Sequence, residues 1–249
     1  MKQMLIYERA QPLRVAEHGD ASVKPLADFR FAADLNSVPI VAAEFAAAAQ
    51  DMAIVFAGTE EEILPAVLLG VEDGANLFIA DNGRWTGRYI PAFLRRYPFV
   101  FAQNEAGDQL SLCIDEACGA LNRDGIGERL FDAEGTRSSY LEQMLEFAAQ
   151  YQAQFVRTRV FCQRLKALDL LEPAALSVRD GEASKGMAGF FRINRERLKA
   201  IPRETLGEMF DTDELELCFL HMQSLTNVEG LSRRRAERRL AEADTSVVQ

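Results

Sequence analysis

Residues 76–102 read NLFIADNGRWTGRYIPAFLRRYPFVFA. Asn82-Gly83 stands between two strand-like runs, and a two-residue turn needing positive φ at both centres favours that pair, so the stretch predicts a β-hairpin. In the second run Trp85, Gly87 and Tyr89 share one face, while Arg84, Thr86, Arg88 and Ile90 share the other. Pro91 then suits the first position of a short helix. Phe93 and Tyr97, spaced by one helical turn, lie on one side of it. Pro98 disfavours helix at Tyr97 and ends the element. The apolar FVFA that follows reads as a strand. Strands, tight turns and a short helix in such close succession predict an α+β fold.

Working outward, residues 34–57 (DLNSVPIVAAEFAAAAQDMAIVFA) place Pro39 at the start of a turn or helix. The alanine-rich segment reads as helix and AIVFA as a buried strand. A local echo links the two regions, because Val55-Phe56-Ala57 and Val100-Phe101-Ala102 each follow a proline and a helical segment. Either a duplicated helix-strand unit or chance resemblance accounts for it. Residues 109–117 (QLSLCIDEA) read as a further strand, and 119–136 as a glycine-rich loop. Tyr140, Met144, Phe147, Tyr151 and Phe155 recur at helical spacing, so residues 137–170 predict one long helix. Ser138 or Ser139 would cap it, with Glu142 in the position of a capping box. Residues 171–194 predict a second hairpin around the tip RDGEASKG, residues 195–201 a short helix, and the region from Glu214 onward a helix with an arginine-rich end. The expected organisation is an irregular arm over 1–30 and a single domain over 31–240. Within that domain, possible sub-units at 31–118 and 170–240 are joined by the long helix at 137–169.

The chain has 249 residues, enough for a sizeable core, with 28 basic and 38 acidic side chains and a net charge of −10. Nucleic acids and anionic lipid demand cation density, so this balance argues against both as partners. The longest apolar candidate, residues 38–57, is interrupted by Glu44, Gln50 and Asp51 and is no membrane span. The N-terminus lacks a long apolar core and a small-residue cleavage site. A cytoplasmic location is the expectation. Cys113, Cys118, Cys162 and Cys218 have no CxxC partner spacing, which predicts buried reduced thiols.

Signals for chemistry are sparse. Of the two histidines, His18 falls in the N-terminal arm and His221 on an apolar helix. His221 with Ser224 is the candidate pair for an enzymatic or small-molecule pocket, although a general base also needs an orienting partner and a nucleophile in reach. No HExxH, HxxxH or paired CxxC is present, so no metal site is expected, nor any cofactor. The phosphate-binding patterns GxxxxGK[ST] and GxGxxG after a strand are missing too. What stands out is cationic and aromatic. Arg84, Trp85, Arg88, Tyr89, Arg95 and Arg96 form the candidate face for an anionic group or an acidic partner segment. Against that reading, Arg95 and Arg96 at a helix end would complement its carbonyl dipole, Trp85 and Tyr89 would be core, and the later RRRAERR would be a solvated helix end.

The core YIPAFLRRYPF at 89–99, with VPIVAAEFAAAAQDMAIVFA before it, LSLCIDE after it and GFFRINRERLKAI and FLHMQSLTNVEGL near the C-terminus, resembles the bacterial SapC family. The likeness spans about residues 30–232. The family takes its name from a protein of a surface-layer gene region. Proteins of that family often accompany outer-membrane receptors and halogenase-like flavoproteins. The resemblance therefore implies an accessory role in envelope or nutrient-uptake biology without defining a reaction. A peptide-transporter permease of the same name is excluded by the lack of apolar spans. The expected function is a non-catalytic accessory protein that binds a protein or peptide partner. The alternative is a pocket at His221 and Ser224, and a homo-oligomer is a further possible form.

Overall fold

A computed structural model describes residues 6–59, 61–72, 74–103, 110–180 and 183–247. Its strands are β1 (Ala10–Pro12), β2 (Ser22–Val23), β3 (Ser37–Pro39), β4 (Ile54–Gly58), β5 (Ile63–Leu68), β6 (Phe99–Gln103), β7 (Leu110–Asp115), β8 (Leu121–Asn122), β9 (Glu128–Arg129), β10 (Leu171–Asp180) and β11 (Ala183–Ile193). Its helices are α1 (Val15–His18), α2 (Phe45–Ala48), α3 (Ala92–Arg95), α4 (Ser139–Ala167), α5 (Arg195–Ala200), α6 (Arg203–Asp211), α7 (Glu214–Ser224) and α8 (Val228–Val247). The class is α+β, with antiparallel sheets and separate helices. The chain forms two compact units, Met1–Phe31 with Ala92–Ala153, and Ala32–Pro91 with Gln154–Gln249.

The first unit holds two small sheets, with strand orders β1-β7-β6 and β8-β2-β9. The N-terminal stretch, expected as an irregular arm, thus supplies a strand to each. Phe99, Leu112, Ile114, Val23, Leu130 and Phe131 fill its core together with Leu141 and Ala148 from the first half of α4. α4 starts where Ser138 Oγ accepts the Leu141 N–H at 3.2 Å, one of the two serines read as its cap. Its apolar spacing explains its length, because successive turns each keep an apolar side chain to bury.

The second unit is built on a five-stranded sheet in the order β10-β11-β4-β5-β3. β4 is central and its Ile54, Val55 and Phe56 are all buried, as expected of a strand covered on both faces. The outer strands β3 and β10 carry Pro39 and Pro173. Pro39 therefore closes a strand rather than opening a helix. The alanine-rich segment is helical, a 3-10 turn at Ala42–Glu44 running into α2, and it stops at Ala49, where Asn227 Nδ2 donates to the Ala49 and Met52 carbonyls at 2.8 and 3.0 Å and holds the chain in a turn. Rings of Phe45, Phe56 and Phe161 meet at the centre of this unit, with Phe161 at 6.3 Å from each of the other two. Thr158 Oγ1, from the second half of α4, accepts the Ala42 N–H at 2.8 Å. The β10–β11 hairpin lies where it was expected, and its tip residues 181–182 are outside the described residues. The local echo is visible in the elements: α2-β4-β5 in one unit and α3-β6-β7 in the other, each ending in an antiparallel pair.

Candidate functional site

The 76–91 stretch is a turn and a bent loop rather than an extended hairpin. Its pairing is a single antiparallel bridge between Ile79 and Trp85, closed on one side by the Ala80 N–H donating to the Arg84 carbonyl at 2.9 Å and on the other by the Thr86 N–H donating to the Phe78 carbonyl at 2.8 Å. The loop spans three residues, Asp81 to Gly83, with positive φ at Gly83 alone, +80°. Asn82 Oδ1 accepts the Arg84 N–H at 3.1 Å, so its side chain mimics a backbone turn instead of the residue adopting the left-handed region. This is the three-residue alternative to the two-centre turn expected from Asn-Gly.

Beyond the turn, Trp85 stacks on Phe78 with ring centroids 5.4 Å apart, and its Nε1 donates to the Tyr89 carbonyl at 2.8 Å. That bond bends the chain back on itself. Gly87 is required beneath it, since a Cβ there would stand 2.7 Å from Trp85 Nε1 and 2.8 Å from Phe78 Cδ1. Asp51 Oδ2 takes the Arg88 N–H at 2.7 Å, and Tyr89 Oη donates to the buried Glu44 at 2.9 Å. The alternation read from the sequence survives without a strand ladder: Arg84, Thr86 and Arg88 are exposed, and Trp85 and Tyr89 are half-buried.

The RRRAERR segment is the second anchor, and it is not a solvated helix end. Arg234 of α8 lies 4.1 Å over the Phe78 ring on the stack that holds Trp85, and its Nη1 donates to Thr86 at 2.8 Å. Arg235 pairs with Glu72 at 2.7 Å, and Arg238 donates to the Asn76 carbonyl at 3.0 Å. Sequence reading missed these roles; the available signal was spacing, which puts Arg234 and Arg238 on one helical face. Thus fixed, the loop presents Arg84 and Arg88, and among the described residues neither guanidinium has an ion-pair or hydrogen-bond partner.

Arg95 and Arg96 belong to the other unit and do different work from each other. Arg95 is exposed at the end of α3, 5.4 Å over the Phe147 ring. Arg96 is only 6% exposed and sits over Phe93, Tyr151 and Tyr7 at 4.6, 5.0 and 5.9 Å. Its Nε and Nη2 have no hydrogen-bond partner among the described residues. Ring faces offset part of the cost of burying that charge. Burial pushes the Tyr7 hydroxyl up to about 12, against the lowering influence of Arg96. Tyr7 Oη donates to the Phe99 carbonyl at 2.7 Å, so Arg96 is part of a buried scaffold.

His221 and Ser224 are each fully buried. His221 Nε2 accepts the Ile193 N–H at 3.1 Å and the ring lies 4.9 Å from Phe56. Burial lowers its pKa to about 4, opposed by a backbone interaction with Ile54. Ser224 Oγ accepts the Ile54 N–H at 2.9 Å and donates to the His221 carbonyl at 2.7 Å. Together they hold α7 against β4 and β11, with the imidazole Nε2 and the serine hydroxyl spent on backbone rather than aimed at a substrate. All four cysteines are buried, and burial raises Cys162 and Cys218 to about 12, which leaves both thiols unreactive near neutral pH.

Residues 13–231, nearly the whole chain, match the family model described as SapC. The chain belongs to the SapC family. No curated protein and no solved structure gives a significant match. Among the described residues of this SapC chain, no helix is long and apolar enough to cross a membrane. The SapC match takes in the whole 76–91 loop and ends at residue 231, just before the arginines of α8 that clamp it.

Proposed function

We propose that this SapC protein is a non-catalytic accessory protein that captures an acidic segment of a protein or peptide partner through Arg84 and Arg88. The observation that carries the reading is the pair of exposed guanidiniums, without a partner among the described residues, on a loop fixed from behind by Trp85, Phe78 and Arg234. In a chain of net charge −10, acids are abundant, and two arginines left without one are available to a partner's carboxylates. A fixed loop lowers the entropy cost of that capture. Arg95 extends the cationic surface of its own unit, whereas Arg96 supports the scaffold. A role in envelope or nutrient-uptake biology accompanies the proposal on the strength of the family resemblance, and a cytoplasmic setting on the N-terminal sequence, which lacks the pattern of a secretory signal.

The test is co-purification from the native host with the full-length chain, comparing wild type with the double substitution Arg84→Glu, Arg88→Glu. The expected result is a species held by the wild type, released by moderate salt and lost from the variant, with unchanged circular dichroism. Identical captured species from a folded variant would overturn the assignment.

A further inference from the structure

The first unit brings together Glu17 and His18 of α1 and Glu116 from the turn after β7. One ligand-capable atom from each lies within 4.8 Å of the others. His18 is only 2% exposed. Its Nε2 is 3.4 Å from Glu116 Oε1, yet among the described residues it has no hydrogen-bond partner. Nδ1 lies 3.2 Å from the Arg14 carbonyl. When Nδ1–H donates to that carbonyl, Nε2 presents its lone pair towards the two carboxylates. Metal-ligating histidines are commonly held this way, the second nitrogen fixing the tautomer against backbone. The other tautomer, with Nδ1 accepting the Arg14 N–H at 3.3 Å, leaves Nε2–H buried without a hydrogen bond.

We propose that Glu17, His18 and Glu116 form a site for a divalent transition-metal ion, with one imidazole nitrogen, two carboxylate oxygens and solvent completing the shell. This donor set suits Zn²⁺. Ligand atoms around tetrahedral zinc at ~2.0–2.1 Å stand about 3.3 Å apart, and the His18–Glu116 separation of 3.4 Å already meets that spacing. The backbone on both sides is held. Arg123 Nη2 donates to the Glu17 carbonyl at 2.8 Å, and the Asp115 carboxylate accepts the Arg9 and Ala117 N–H groups at 2.9 and 3.1 Å around Glu116.

Two arginines compete with a cation here. Arg9 Nε lies 3.1 Å from Glu116 Oε2, and Arg14 Nη1 lies 3.4 Å from Glu17 Oε1. Their side chains are 61% and 63% exposed, and exposed ion pairs contribute little, so both can swing into solvent when a dication arrives.

The experiment titrates chelator-treated full-length protein with ZnCl₂ against a chromophoric competitor. One Zn²⁺ per chain is expected, with affinity reduced at least ~tenfold in Glu17→Gln and in Glu116→Gln, consistent with loss of one ligand. Zinc is also expected to raise the melting temperature of the wild type and not that of Glu116→Gln. Because substituting buried His18 risks the fold, the two carboxylate variants decide. The absence of stoichiometric binding would mean that Glu17, His18 and Glu116 hold no ion. Binding that survives the double variant Glu17→Gln, Glu116→Gln would place the ion elsewhere. Either result overturns the site.

Discussion

At the scale of single residues, burial rather than residue type separates supporting groups from available ones. Arg84, Arg88, Arg95 and Arg96 are chemically identical, but only Arg96 is buried against three rings. Local sequence could not separate them, because the rings around Arg96 include Tyr7 and Tyr151, far away along the chain. The same holds for His18 and Glu116, whose contact depends on which strand end meets α1. By contrast, the close packing at Gly87 was readable, since a glycine between two aromatics in a strand-like run signals a near approach. His221 gives a prediction with a definite sign. Its folded-state pKa, about 4, lies below the ordinary value of 6.5, so the unfolded chain takes up the proton first as pH falls. The stability that His221 contributes is therefore complete above about pH 6.5 and is lost progressively down to about pH 4. Between pH 7 and 5 the wild type should lose ~2 kcal/mol more than His221→Gln, measured by urea unfolding at both pH values. Equal losses would show that the imidazole is not the group responsible.

At the scale of elements, the long helix α4 and the β10–β11 hairpin were legible because each follows from a sustained period or a marked turn. The 76–91 hairpin was legible as a turn but not as a loop. What bends it is the Trp85–Tyr89 bond together with an Asp51 carboxylate and α8 arginines contributed from elsewhere in the chain. Helix α8 is thus a clamp, and its arginines act by packing as much as by charge. Replacing Arg234 and Arg238 by alanine should cost ~1–3 kcal/mol, the range for lost charge-assisted hydrogen bonds and a cation–ring contact. Trp85 is the only tryptophan, so its emission reports the event directly. A red shift at low urea, ahead of global unfolding, is expected in the double variant. An unshifted spectrum with an unchanged midpoint would argue against the clamp.

At the scale of the whole molecule, each unit draws on two separated stretches of chain. Local patterns describe one stretch at a time, which is why this grouping could not be read from the sequence. Fragments 1–91 and 92–249 each hold only part of either unit, and so each should be unfolded by circular dichroism when expressed alone, with structure recovered on mixing. A folded fragment would contradict that dependence. The prolines of the five-stranded sheet bear on self-association. Pro39 lies on β3 and Pro173 on β10, the two outermost strands. A proline has no N–H to offer an incoming strand, so both borders of this sheet interrupt the row of donors that edge-to-edge growth requires. Each border of this sheet therefore carries a gap in its row of donors, which disfavours the templating of a further strand at that point.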